Sequence, residues 1–138
     1  MGFKGIHQGS QAENFPTDRQ FDVIFAGSIF SHLPEKMLTE WLTKLTEVLS
    51  PNGLLLFTTH NTTLNKSIDS NTDIHYTTNS EDAVLNMVSD HLSDTSEYGT
   101  TYISDKKIAQ LMGDLHLSFE TKRKAFGNLQ DLIIAQKK

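Results

Sequence analysis

Apolar positions along the chain fall into two kinds of run. Phe21-Asp22-Val23-Ile24-Phe25-Ala26 and Leu54-Leu55-Leu56-Phe57-Thr58-Thr59 are short and nearly continuous, the mark of strands covered on both faces. Between them Leu38, Trp41, Leu42, Leu45, Val48 and Leu49 recur at helical spacing and form one stripe. Pro34 and Glu35 open that helix with a fixed φ and an early negative charge. Ser50-Pro51-Asn52-Gly53 closes it. Strand, helix and strand joined by tight turns predict a βαβ crossover, right-handed, with its two strands parallel.

The flanks are less regular. Phe3 to Ile6 suits a short strand, and Gln8 to Asp18, punctuated by Gly9, Ser10, Asn14 and Pro16, reads as loop. Residues 60–80 are rich in Thr, Asn, Ser and Asp and read as a long loop, either a lid over a site or a surface excursion. Ser80 caps a helix with Val84, Leu85, Val88 and Leu92 on one face. Residues 93–100 are polar again. Ser104 caps a further helix carrying Ile108, Leu111 and Met112. Leu115, Leu117, Phe119 and Thr121 alternate with polar residues, and Asp131 to Ala135 is an apolar run. Gly127-Asn128 between them predicts an antiparallel hairpin. One domain of four segments follows: 1–20, the βαβ core 21–60, a loop and helix insertion 61–100, and a helix with hairpin 101–138.

The composition narrows the chemistry. The chain has 138 residues, 37% hydrophobic and 21% charged, enough for one modest soluble core. It has no run long enough to span a bilayer and no apolar block near Met1 that could serve as a signal. It has no cysteine, hence no disulfide, thiolate metal site or thiol nucleophile. A cytoplasmic location is the default expectation. The net charge of −5 argues against nucleic acid, which needs a basic surface. Lys122, Arg123 and Lys124 form the one basic cluster, read as a solvated strand edge. The six histidines show no metal-ligand spacing, so no metal is expected. No Gly-x-Ser-x-Gly or phosphate-loop pattern occurs.

The string FDVIFAGSIFSHLPEKMLTEWLTKLTEVLSPNGLLLFTTHN resembles the fourth strand, following helix and fifth strand of class I S-adenosylmethionine-dependent methyltransferases. The points of likeness are Phe21 to Ile24, the small residues Ala26 to Ser28, the corner His32 to Pro34, the helix through Leu49 and the turn Ser50 to Gly53. Asn52 stands where that family usually has Gly, and Asn also tolerates left-handed backbone. Tyr98-Gly99-Thr100, the Ser104-led helix and the hairpin through Gln130-Asp131 resemble the family's end, with its sixth and seventh strands. The resemblance covers roughly residues 3–136.

The resemblance implies an α/β fold: an incomplete Rossmann-like methyltransferase sheet, with strands corresponding to 4, 5, 6 and 7, a remnant of 3, and flanking helices. In that family the seventh strand is inserted antiparallel, and ligands lie beyond the carboxyl ends of the strands at the switch point. The cofactor is S-adenosylmethionine, gripped chiefly by a Gly-x-Gly-x-Gly loop and an acidic residue. Neither is found here, and only twenty residues precede Phe21, too few for a strand–helix–strand unit. The fourth strand is then expected at an edge, with Val23 and Phe25 exposed. A second copy or a partner chain is expected to meet that edge.

Ala26, Gly27, Ser28 and Ile29 are the residues that the resemblance sets against cofactor and substrate, or else they simply serve the turn. Ser10 and Gln11, with Gly9, fall where the family has its adenine-contacting loop, and Glu13 is the nearby acid. His32 is the candidate catalytic base, or a corner histidine that orients the helix. His60 and Tyr98 are candidate substrate contacts, or a polar loop residue and a packing residue. Trp41 belongs to the core. The reaction implied is methyl transfer to O, N or C of a small molecule. The rival readings are an inactive interaction or oligomerisation module that kept the scaffold, and an unrelated doubly wound protein. The latter lacks support, since the first strand ends in no acidic cluster and no phosphate loop exists.

Overall fold

The computed structural model describes residues 12–78 and 99–138. Within them lie β1 (Phe21–Ala26), α1 (Glu35–Glu47), β2 (Leu49–Asn61), β3 (Ile74–Thr78), β4 (Gly99–Ile103), α2 (Asp105–Asp114), β5 (Leu117–Phe126) and β6 (Gln130–Lys137). Short 3-10 turns occupy Ala12–Asn14, Phe30–His32 and Thr62–Leu64.

The βαβ core forms as its pattern requires. Pro34 stands at the N-cap of α1, and Leu38, Leu42 and Leu45 are buried along it, each burial contributing about 1.5–3 kcal/mol. The helix stops two residues before the expected end, because Val48 leaves helical geometry and Leu49 already belongs to β2. The Phe21 N–H donates to the Val48 carbonyl at 2.8 Å, joining the start of β1 to the end of the helix. The turn Ser50 to Gly53 is a bulge within β2, so pairing jumps from Phe21–Leu49 to Val23–Leu54. Asn52 takes φ +64 there.

β1 and β2 are parallel. β6 is antiparallel to β2 on one side and to β5 on the other. The last strand is therefore inserted between two strands that run the same way as each other. Leu55 and Phe57 of β2, Ile133 and Ala135 of β6, and the buried faces of both helices share one core cluster. The opposite sheet face carries Val23, Phe25, Leu54, Leu56, Leu132 and Ile134. Val23 and Phe25 are each 60% exposed, and among the described residues β1 pairs with β2 alone.

Two expectations need correction. Residues 60–80 are not all loop, and the strand count is higher than expected. Ile74–Thr78 and Gly99–Ile103 are strands, paired antiparallel as β3 and β4. β4 also pairs parallel with β2 at His60 and Asn61, beyond Phe57 where the pairing of β1 stops. The sheet thus has six strands among the described residues rather than about four. Short Thr-rich segments give no apolar run, and their partners supply the order. The expected strand at Phe3 to Ile6 and the helix after Ser80 lie outside the described residues.

Candidate functional site

The carboxyl ends of β1 and β2 meet the start of β6 and the face of β4. Ala26 is buried, Gly27 is half-buried, and Ser28 and Ile29 are exposed. Ser28 takes φ +56, a left-handed geometry that costs a non-glycine residue about 1–2 kcal/mol. It is held there by its N–H, which donates to Thr58 Oγ1 at 2.7 Å. The Ser28 hydroxyl donates to Gln130 Oε1 at 3.0 Å. The other end of that amide lies 3.4 Å from His60 Nε2 and donates to Ser31 Oγ at 3.5 Å.

His60 is the centre of this corner. Its ring lies 5.6 Å from Tyr102 and 6.3 Å from His32. Burial, and then the charge of a protonated His32, lower its pKa below the ordinary 6.5. Its Nδ1 is buried and finds no partner among the described residues. His32 faces the same corner, and its Nδ1 lies 2.8 Å from the Gly99 carbonyl. A carbonyl only accepts, so His32 Nδ1 carries a proton. Nearby, the Thr101 hydroxyl donates to the Leu33 carbonyl. These bonds lock the corner after β1 onto β4.

An apolar cavity of about 260 Å³ opens beside the end of β1, lined by Phe15, Ile24, Phe25, Ala26, Ile29 and Trp41 among others. Phe15 and Trp41 meet edge to face at 5.9 Å. Trp41 is half-buried against the core. A second, polar cavity of about 250 Å³ lies past the end of β2. There Arg123 donates to Asp105 and to the buried Asp131 at 2.7 Å, and the Lys124 N–H donates to Asp131 at 2.9 Å. These bonds hold the Arg123 guanidinium pKa above its usual value, the bond to Asp105 most of all. Arg123 is thus a clamp between α2 and the hairpin, not merely a solvated edge.

Solved structures share this architecture. An O-methyltransferase family protein from Burkholderia thailandensis superposes with a TM-score of 0.61 at 18% identity, over 96% of this chain and 35% of that one. The 1,6-didemethyltoxoflavin-N1-methyltransferase of the same organism, solved with 1,6-didemethyltoxoflavin and S-adenosylhomocysteine, gives 0.61 at 12% identity over 92% and 48%. An S-adenosylmethionine-dependent methyltransferase from Methanosarcina mazei gives 0.58 at 15% identity over 92% and 64%. The chain has the class I methyltransferase fold. It spans between about a third and two thirds of the length of these structures. By sequence, no known family and no curated protein matches it.

Within this fold the structure brings Ala26, Gly27, Ser28, Ile29, His32 and His60 to one end of the sheet. Ser10, Gln11 and Tyr98 lie outside the described residues. Glu13 is exposed and lines the outer groove of α1 with Lys36 and Lys44. Sequence reasoning missed Tyr102, Gln130, Ser31 and Thr58. One signal was available for Gln130, a polar residue just before the apolar run Leu132 to Ala135. The described residues fit S-adenosylmethionine only in part. The apolar cavity suits a flat ring, but its lining has no carboxylate for ribose hydroxyls and no cation for an amino-acid carboxylate.

Proposed function

We propose that this chain is the acceptor-side part of an S-adenosylmethionine-dependent methyltransferase, moving a methyl group to a small molecule. The observation that carries the reading is the convergence of Ser28, His32, His60 and Gln130 at the carboxyl ends of β1 and β2. Ligands of open α/β sheets bind there. A sulfonium methyl needs alignment more than activation, so the task of these residues is to hold and orient the acceptor. Ala26 to Ile29 form the wall nearest the cofactor. His60 stands behind this wall and holds the Gln130 amide that fixes the Ser28 hydroxyl. His32 is a positioning residue, since its Nδ1 proton is given to the Gly99 carbonyl. The net charge of −5 and the neighbour solved with bound 1,6-didemethyltoxoflavin support a small-molecule acceptor. The grip on ribose and amino acid comes from residues other than those that line this cavity.

The test is a titration of S-adenosylhomocysteine into the nitrogen-15-labelled chain. The expected result is movement of the amides of Ala26, Gly27, Ser28 and Ile29, with α2 unmoved. No shift at millimolar ligand, or shifts confined to another surface, overturns the reading.

A second reading rests on the exposure of Val23 and Phe25 on β1. Exposed apolar strand edges pair with other chains, which makes the chain an oligomerisation or interaction module. Under that reading the mass in solution exceeds one chain, and Val23→Lys restores the monomer.

A further inference from the structure

The Gln130 side chain joins two residues that have different tasks. Its Oε1 accepts from the Ser28 hydroxyl at 3.0 Å, and its Nε2 faces His60 Nε2 at 3.4 Å. An amide nitrogen only donates, so His60 Nε2 must accept and the ring proton sits on Nδ1. That proton is buried without a partner among the described residues, a standing cost. The alternative tautomer, with the proton on Nε2, would set donor against donor unless the Gln130 amide turns over. Turning it over presents Oε1 to His60 and the amide nitrogen to Ser28. Ser28 Oγ then changes from donor to acceptor, and its proton turns outward.

We propose that Gln130 is a positioning residue that couples the protonation of His60 to the hydrogen-bond polarity of Ser28. With His60 neutral, the chain of bonds runs from Ser28 through Gln130 to His60. With His60 protonated, it runs from His60 through Gln130 to Ser28. No covalent bond changes; one proton is taken from solvent and one amide rotates. The outcome is felt at the exposed end of β1. There a ligand meets a Ser28 hydroxyl that is committed to Gln130 at neutral pH and offers its proton outward in acid. The site therefore favours ligands that present a hydrogen-bond acceptor when His60 is charged. The significance for ligands rests on the methyltransferase reading of this corner, whereas the switch itself does not.

Among the described residues, few groups face His60. From the turn after β1 comes His32, whose charge opposes a second charge nearby. From β4 comes the Tyr102 ring. From β6 comes the neutral amide of Gln130, while the adjoining Asp131 spends its oxygens on Arg123 and the Lys124 N–H.

The experiment is nitrogen-15 spectroscopy of the imidazole rings across pH in the ligand-free chain, with Gln130→Glu and Ser28→Ala beside the native protein. The native chain is expected to show His60 with its proton on Nδ1. Gln130→Glu puts an acceptor against Nε2, reverses the tautomer and raises the His60 midpoint by about one pH unit or more. Ser28→Ala releases Oε1 to turn toward His60 and raises the midpoint by a smaller amount. An Nε2-protonated ring in the native chain, or midpoints that do not differ between native and Gln130→Glu, overturns the proposal. An Nε2-protonated native ring overturns the proposal even if a variant fails to fold. No ligand is used, so a failed cofactor titration and a failed switch are separate results.

Discussion

His32 Nδ1 donates to the Gly99 carbonyl at 2.8 Å, across 67 positions of sequence. This bond joins the corner that follows β1 to the first residue of β4. It explains why a histidine stands there without assigning it the chemistry. His32→Ala is expected to destabilise the fold by about 1–2 kcal/mol, read from the denaturant midpoint. His32→Asn, which restores a donor, recovers part of the loss. Gly99 itself has no room for a side chain, since a Cβ would fall 2.1 Å from the Thr77 carbonyl. Gly99→Ala is expected to part β3 from β4 at a cost of about 1–3 kcal/mol.

His60 makes stability depend on pH in a known direction. Its folded pKa lies below the ordinary 6.5 because of burial and of His32. Between the folded value and 6.5 the unfolded chain holds more protons, so stability rises with pH. This contribution is fully present above about pH 6.5 and is lost as the pH falls toward the folded value. His60→Gln should flatten that part of the profile, measured as the melting temperature between neutral and mildly acid buffer.

Asp131 is 5% exposed and holds both Arg123 and the Lys124 N–H. Asp131→Ala leaves the Lys124 N–H without its acceptor and the guanidinium with Asp105 alone. A loss of about 1–3 kcal/mol is expected. Because Arg123 is half exposed, water screens much of the ion pair, so Asp131→Asn should cost less than Asp131→Ala. Urea unfolding of the two variants provides the comparison.

His116 takes φ +56 just past the end of α2, and its N–H donates to the Gly113 carbonyl at 3.1 Å. That is the position where glycine ends helices most comfortably. The side chain is exposed, so nothing is lost by removing it. His116→Gly should therefore stabilise the chain by up to about 1 kcal/mol, seen as a higher melting temperature with unchanged spectra.

By itself the sequence determined the βαβ core, the Ser104-capped helix and the terminal hairpin. Each follows from local patterns: an apolar run at Phe21 to Ala26, a helical stripe from Leu38 to Leu45, a cap whose Ser104 hydroxyl accepts from the Lys107 N–H, and the turn at Gly127-Asn128. The resemblance to the methyltransferase family, carried by those same patterns, marked Ala26 to Ile29, His32 and His60 as candidates. Only the tertiary structure decided the rest. β3 and β4 carry no apolar run of their own, so their order comes from pairing with each other and with the end of β2. Gln130 meets Ser28 across 102 positions, and Arg123 meets Asp105 and Asp131 from another element. Arg123 and Asp131 meet within the hairpin, whereas Ser28 meets Gln130 only because β6 pairs with β2.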